Sequence, residues 1–154
     1  MGKPLIIGCG NPDRGDDAAG LLVVKRLRSM GIAAEEHSGE GLALMEAWSG
    51  AGSVILIDAV VTGAAPGAIS VWDARTAPVS RGAFRASTHS FGAAEAVELA
   101  RALDRLPASL TIYGIEGKNF ERGARPAPEV LAAVEEVAQR IAEQVQSITK
   151  EVEG

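Results

Sequence analysis

The sequence predicts an α/β fold, a three-layer sandwich in which a mixed, mostly parallel five-stranded sheet carries helices on both faces. Short apolar runs alternate with helical patterns along the chain, the mark of βα units rather than of hairpins. One connection departs from that scheme. Between the run ending at Asp58 and the one beginning at Ala68 only about nine residues remain, Gly63, Pro66 and Gly67 among them. A parallel crossover needs a dozen or more residues, so the fourth strand is expected to run antiparallel.

Strands are expected at 4–9, 32–37, 53–58, 68–73 and 109–115. The first helix is expected over 16–30, where Leu21, Val24 and Leu27 make it so apolar that much of it must be buried. A short second helix is read at 42–48. A third spans 90–106, its alanines allowing close packing on the sheet. The last helix is the clearest. Pro128 sits near its first turn, where a missing N–H is harmless. Val130, Val134, Val137, Ile141, Val145 and Ile148 then recur every three or four residues, with Glu135, Glu136, Arg140 and Glu143 elsewhere on the wheel. Residues 76–87 read as a flexible surface loop. No internal repeat or low-complexity segment appears, and a single domain over 1–154 is expected.

Composition narrows the function classes. An apolar share of 47% against 23% charged residues argues for a buried core rather than disorder. Fifteen basic against 20 acidic residues give a net charge of −5, and no Lys/Arg cluster offsets it, so nucleic acid is not an expected partner. No apolar run approaches the ~20 residues that span a bilayer, so neither is a membrane. A lone cysteine, Cys9, excludes an internal disulfide and fits a reducing compartment. No signal-peptide pattern precedes the first strand. A cytoplasmic protein is expected, with Cys9 as a buried structural thiol rather than a nucleophile.

The chemistry concentrates after the first strand, in Gly8-Cys9-Gly10-Asn11-Pro12-Asp13-Arg14-Gly15-Asp16-Asp17. Strand, glycine turn and helix would suit a phosphate, but three carboxylates within five residues repel an anion there and favour a cation. Ligands of open α/β sheets gather beyond the carboxyl ends of the parallel strands. The first turn and Asp58 fall at that end, and Thr88-His89-Ser90 is expected to join them. Two carboxylates and an imidazole suit nickel or zinc.

Adjacent helical residues diverge by about 100°, so Asp16 and Asp17 are not expected to serve one ion together. Either one caps the helix while the other faces the cleft, or both merely cap. Asp58 ends the buried run Ser53-Val54-Ile55-Leu56-Ile57, where a carboxylate is costly unless bonded, paired or liganded. The alternative is an acceptor for loop amides. His89 is a ligand or else a surface or hydrogen-bonded core histidine; His37 is read as the latter kind. Asn11 is expected to tie the turn together, with a substrate contact as the alternative, and Arg14 is either a solvated charge or a substrate clamp. No nucleophile elbow, His-Glu-x-x-His, Cys-x-x-Cys or Walker sequence is present.

With these positions in place, the chain resembles the hydrogenase maturation endopeptidases, which process the C-terminus of the nickel–iron hydrogenase large subunit. The resemblance rests on Gly8-Cys9-Gly10-Asn11, Asp16-Asp17, Ile57-Asp58-Ala59, Pro66-Gly67, Ser87-Thr88-His89 and Tyr113-Gly114-Ile115-Glu116, in order along nearly the whole chain. It implies that Asp17, Asp58 and His89 contact a metal and that Asp17 and Asp58 take part in catalysis. The second acid of the opening pair is glutamate in some members and aspartate here. The resemblance further implies removal of a C-terminal extension from a nickel–iron hydrogenase large-subunit precursor after nickel is installed. The nickel thus arrives with the substrate, and zinc or cadmium is expected to substitute in vitro. Two other readings keep part of this pattern: a non-catalytic nickel-binding or quality-control partner of hydrogenase assembly, and a nucleotide-binding α/β domain.

Overall fold

A computed structural model describes residues 3–79, Ala83 and 91–153, with side chains up to residue 148. Five strands, β1 (Leu5–Cys9), β2 (Glu35–His37), β3 (Ser53–Val60), β4 (Ile69–Asp73) and β5 (Ser109–Glu116), form one sheet in the order β2-β1-β3-β5-β4. The first four in that order are parallel. β4 lies antiparallel to β5, from Ile69 opposite Ile115 to Asp73 opposite Thr111. The short connection therefore does force the reversal, because it leaves no room for a crossover.

Helices α1 (Ala19–Ser29) and α4 (Pro128–Glu153) cover one face, where Val23, Leu27, Val137 and Ile141 pack on Ile55 and Ile57. Helices α2 (Gly41–Trp48) and α3 (Ala93–Ala102) cover the other, where Leu44 and Val97 pack on Leu56, Leu110 and Ile112. β3 is buried along nearly its whole length, as expected of a central parallel strand with both faces covered. The three-layer architecture stands as read, and α4 begins at Pro128 as expected.

Several boundaries move. The stretch read as the first turn of α1 is a 3-10 turn, Gly15–Ala18, tighter than an α-helix. β2 keeps only three residues at the sheet edge. β3 runs past Asp58, because Ala59 and Val60 pair with Ile115 and Glu116. α3 is shorter than 90–106. Gly92 caps its start, with its N–H donating to Glu95 Oε1 at 2.8 Å. At the other end Asp104 turns left-handed at φ 55° and Arg105 N–H donates to the Ala100 carbonyl. Serine 90, the expected first residue of that helix, lies outside the described residues.

The described part of 76–87 is also tied down rather than free. Val79 and Ala83 are buried, Val79 N–H donates to Glu98, Arg101 donates to the Ala77 carbonyl, and Val61 N–H donates to the Ala83 carbonyl. The remainder of that segment lies outside the described residues.

Candidate active site

The carboxyl ends of β1, β3 and β5 meet where the 3-10 turn enters α1. That meeting depends on two close backbone approaches. A side chain at Gly8 would fall on the Gly20 carbonyl of α1, and one at Gly10 would fall on the Asp17 carbonyl. The Gly-x-Gly pattern here lets the turn and helix lie directly against β1, a packing role that needs no nucleotide. Gly10 N–H donates to the His37 carbonyl, holding the strand exit to the β2 edge.

Among the described residues four carboxylates are buried, Asp16, Asp17, Asp58 and Glu116, all at this end. Asp16 is fully enclosed. Its Oδ2 accepts the amides of Lys118 and Asn119 at 2.8 and 3.0 Å, its Oδ1 accepts that of Ala127 at 2.8 Å, and its own N–H donates to the Asn119 carbonyl. The expectation that one acid caps the first helix is thus corrected. No side chain caps the 3-10 turn or α1, and Asp16 gathers amides from the β5–α4 loop, a hundred residues away in sequence. The tighter turn, with three residues per revolution, sets adjacent side chains about 120° apart, so Asp16 and Asp17 face different neighbours.

Asp17 Oδ2 accepts the Asn11 amide at 3.1 Å. Asp58, 6% exposed, lies on the α2/α3 face of β3, two residues from Leu56. Among the described residues its one hydrogen bond is Oδ1 accepting the adjacent Ala59 amide at 2.8 Å, so it does not hold a loop as Asp16 does. Burial first, and the Asp17 charge second, push the Asp58 carboxyl well above the ordinary carboxylate range. Burial, then Asp58 and Asp17, likewise raise the Cys9 thiol, which is free and buried as expected. Two mutually repelling acids, one in the 3-10 turn and one near the end of β3, offer two chemical uses. They can share a bound cation, or one of them can keep its proton to a higher pH than an ordinary carboxylate does.

The third expected ligand, His89, lies outside the described residues, as do Ser87 and Thr88. Among the described residues no group of three His, Cys, Asp or Glu side chains is arranged to hold a metal ion. His37 is half-buried, and its Nδ1 accepts the Gly39 amide at 3.0 Å, which holds the turn after β2. Asn11 does tie its turn, with Oδ1 accepting the Asp13 amide at 2.9 Å. Arg14 Nε donates to the Phe120 carbonyl at 3.1 Å and makes no ion pair among the described residues.

Sequence reasoning missed Glu116. Its two oxygens accept the Thr62 amide at 3.1 and 2.9 Å, and Oε1 also accepts the Thr62 hydroxyl at 2.5 Å, fixing the β3–β4 loop to the end of β5. The signal was available: an acid closing an apolar run, the argument applied to Asp58. A larger hollow, about 660 Å³, opens at the opposite end of the sheet between Trp48 and Pro107, away from all four buried carboxylates.

The sequence model of the family described as hydrogenase maturation protease matches residues 39–144. None of the curated proteins matches the chain. Among solved structures, the [NiFe] hydrogenase maturation protease HybD from Thermococcus kodakarensis is 25% identical with a TM-score of 0.71, covering 94% of this chain and 99% of that one. The hydrogenase maturating endopeptidase HybD from E. coli is 21% identical, TM-score 0.73, over 95% and 93% of the two chains. An endopeptidase from Escherichia coli solved in solution is 21% identical, TM-score 0.75, over 90% and 89%. The last two share the fold.

Proposed function

Because this chain belongs to the hydrogenase maturation protease family, a family of peptide hydrolases, we propose that it removes the C-terminal extension of a nickel–iron hydrogenase large-subunit precursor in the cytoplasm. The observation that carries the reading is Asp58. It is a buried carboxylate near the carboxyl end of the central strand, raised by burial and by Asp17, and among the described residues anchored by one hydrogen bond to its own neighbour. A structural acid would gather more donors, as Asp16 does.

In this proposal the precursor brings nickel, and Asp17, Asp58 and His89 complete its coordination, so the metal acts as the token that admits the substrate. A divalent ion relieves the repulsion between the two acids and suits a carboxylate and imidazole donor set. A water molecule attacks the scissile carbonyl carbon, and its proton passes to Asp58, whose carboxylate is the general base. The same proton then goes to the leaving amine as the C–N bond breaks. The products are a new carboxylate terminus on the large subunit and a free tail. Asn11 and Arg14 are the substrate-positioning residues, Arg14 presenting the guanidinium nitrogens not engaged by Phe120.

The test is cleavage of nickel-loaded precursor, followed as a mass loss. Asp17→Asn and Asp58→Asn should each slow cleavage by about 100-fold or more. Rates near wild type in both variants would remove the carboxylates from the mechanism, and precursor binding without a mass change would make the protein a binder.

A further inference from the structure

The two buried acids that the reaction does not use hold the two walls of one trough. Glu116 fixes the β3–β4 loop through Thr62, reinforced by Gly67 N–H donating to the Glu116 carbonyl and Glu116 N–H to that of Ala68. Asp16 fixes the β5–α4 loop through Lys118, Asn119 and Ala127. Between these loops lies a cavity of about 470 Å³ whose lining includes Val61, Ala64, Pro66, Glu116, Lys118 and Phe120. Its volume falls within the roughly 300–1,000 Å³ usual for ligand sites. Val61 follows Asp58 by three residues, roughly 10 Å along an extended chain, so the trough opens at the same end of the sheet as the carboxylate site, on the α1/α4 side, while Asp58 faces α2/α3.

The lining states its own chemistry. Val61 and Phe120 are apolar and half-buried against the α1/α4 core. Two of the lining residues are ionisable, and both oxygens of Glu116 are engaged by Thr62. The charge left open is the exposed Lys118, which makes no ion pair among the described residues, on a chain whose net charge is −5. We propose that this trough is a substrate subsite that receives an extended stretch of the precursor carrying an apolar side chain beside an acidic one. The apolar side chain lies on Val61 and Phe120, and the carboxylate meets Lys118. Because both walls are bonded in place, the subsite is preformed and orders the substrate at little cost to itself. The inference rests on the endopeptidase reading for its substrate, and on the trough's own lining for its specificity.

Two variants test it without touching the core: Lys118→Glu reverses the charge, and Ala64→Trp fills the trough from an exposed position. The probe is the blocked peptide acetyl-Gly-Glu-Leu-Gly-amide, titrated into the labelled full chain while backbone amide shifts are recorded. Saturable shifts should centre on 61–67 and 117–120, weaken with the glutamine counterpart of the peptide, and disappear in both variants. On the precursor, KM should rise about tenfold in both variants. Shifts absent from those segments, shifts that persist in both variants, or an unchanged KM would overturn the subsite. A wild-type protein that binds the peptide at the trough yet leaves nickel-loaded precursor intact would overturn the endopeptidase reading and leave the trough standing.

Discussion

Asp16 and Asp58 are both buried aspartates at the same end of one sheet, yet they live in opposite environments. Asp16 takes three backbone amides from a loop that would otherwise have nowhere to place them. Among the described residues Asp58 takes one, from the residue next to it, and it faces a second carboxylate. A charge held by several donors stabilises the fold, whereas one left short of donors beside a like charge raises the energy of the folded state. Such a destabilised group persists where function uses it. Glu116 belongs with Asp16, since its oxygens are spent on Thr62. The difference separates scaffold acids from reactive acids within a few residues of one another.

The contrast has opposite signs in stability. The largest effect is expected at Asp16. Replacing it by alanine strands three part-buried amides; a fully buried unsatisfied group costs about 1–3 kcal/mol and these are partly reached by water, so Asp16→Ala should lose about 2–3 kcal/mol in a urea titration. An unchanged midpoint would mean that the β5–α4 loop does not depend on it. Asp58→Asn should instead raise the melting temperature of the metal-free protein by a few degrees at neutral pH, even as it slows cleavage by about 100-fold or more.

The pH dependence follows from the same asymmetry. Burial and Asp17 raise the folded-state pKa of Asp58, so the folded chain binds that proton more tightly than the unfolded chain does. Its contribution is fully present below the ordinary carboxylate pKa. It is lost as pH rises from that value through the raised one, and is flat above. Melting curves of the metal-free wild type and Asp58→Asn should therefore diverge across that window, and parallel curves would refute the assignment. The smallest effect concerns Cys9. Its buried thiol, raised by enclosure and by both acids, should react with iodoacetamide at least about tenfold more slowly than a free peptide cysteine. Fast alkylation of the native protein would mean that the end of β1 opens.

Much of this was legible in the residues. The antiparallel β4 follows from a connection too short for a crossover, and the buried face of α4 follows from its three-and-four spacing. Asp58 stood out because a carboxylate interrupts an apolar run. Glu116 carried the same signal in a strand whose last residue reads equally well as the start of a loop. The division of labour between Asp16 and Asp17 was not legible. Local sequence offers only a helix start, and the amides that claim Asp16 belong to Lys118, Asn119 and Ala127.

Periodicity, run length and the placing of acids in apolar surroundings thus determine strands, helices, their layers and the end of the sheet where chemistry gathers, because these depend on the chain's own spacing. Which acid becomes scaffold and which remains reactive was decided only by folding. A buried carboxylate's energy is set by the donors and charges that reach it through space, and here those come from a loop about a hundred positions away for Asp16 and from the turn that carries Asp17 for Asp58.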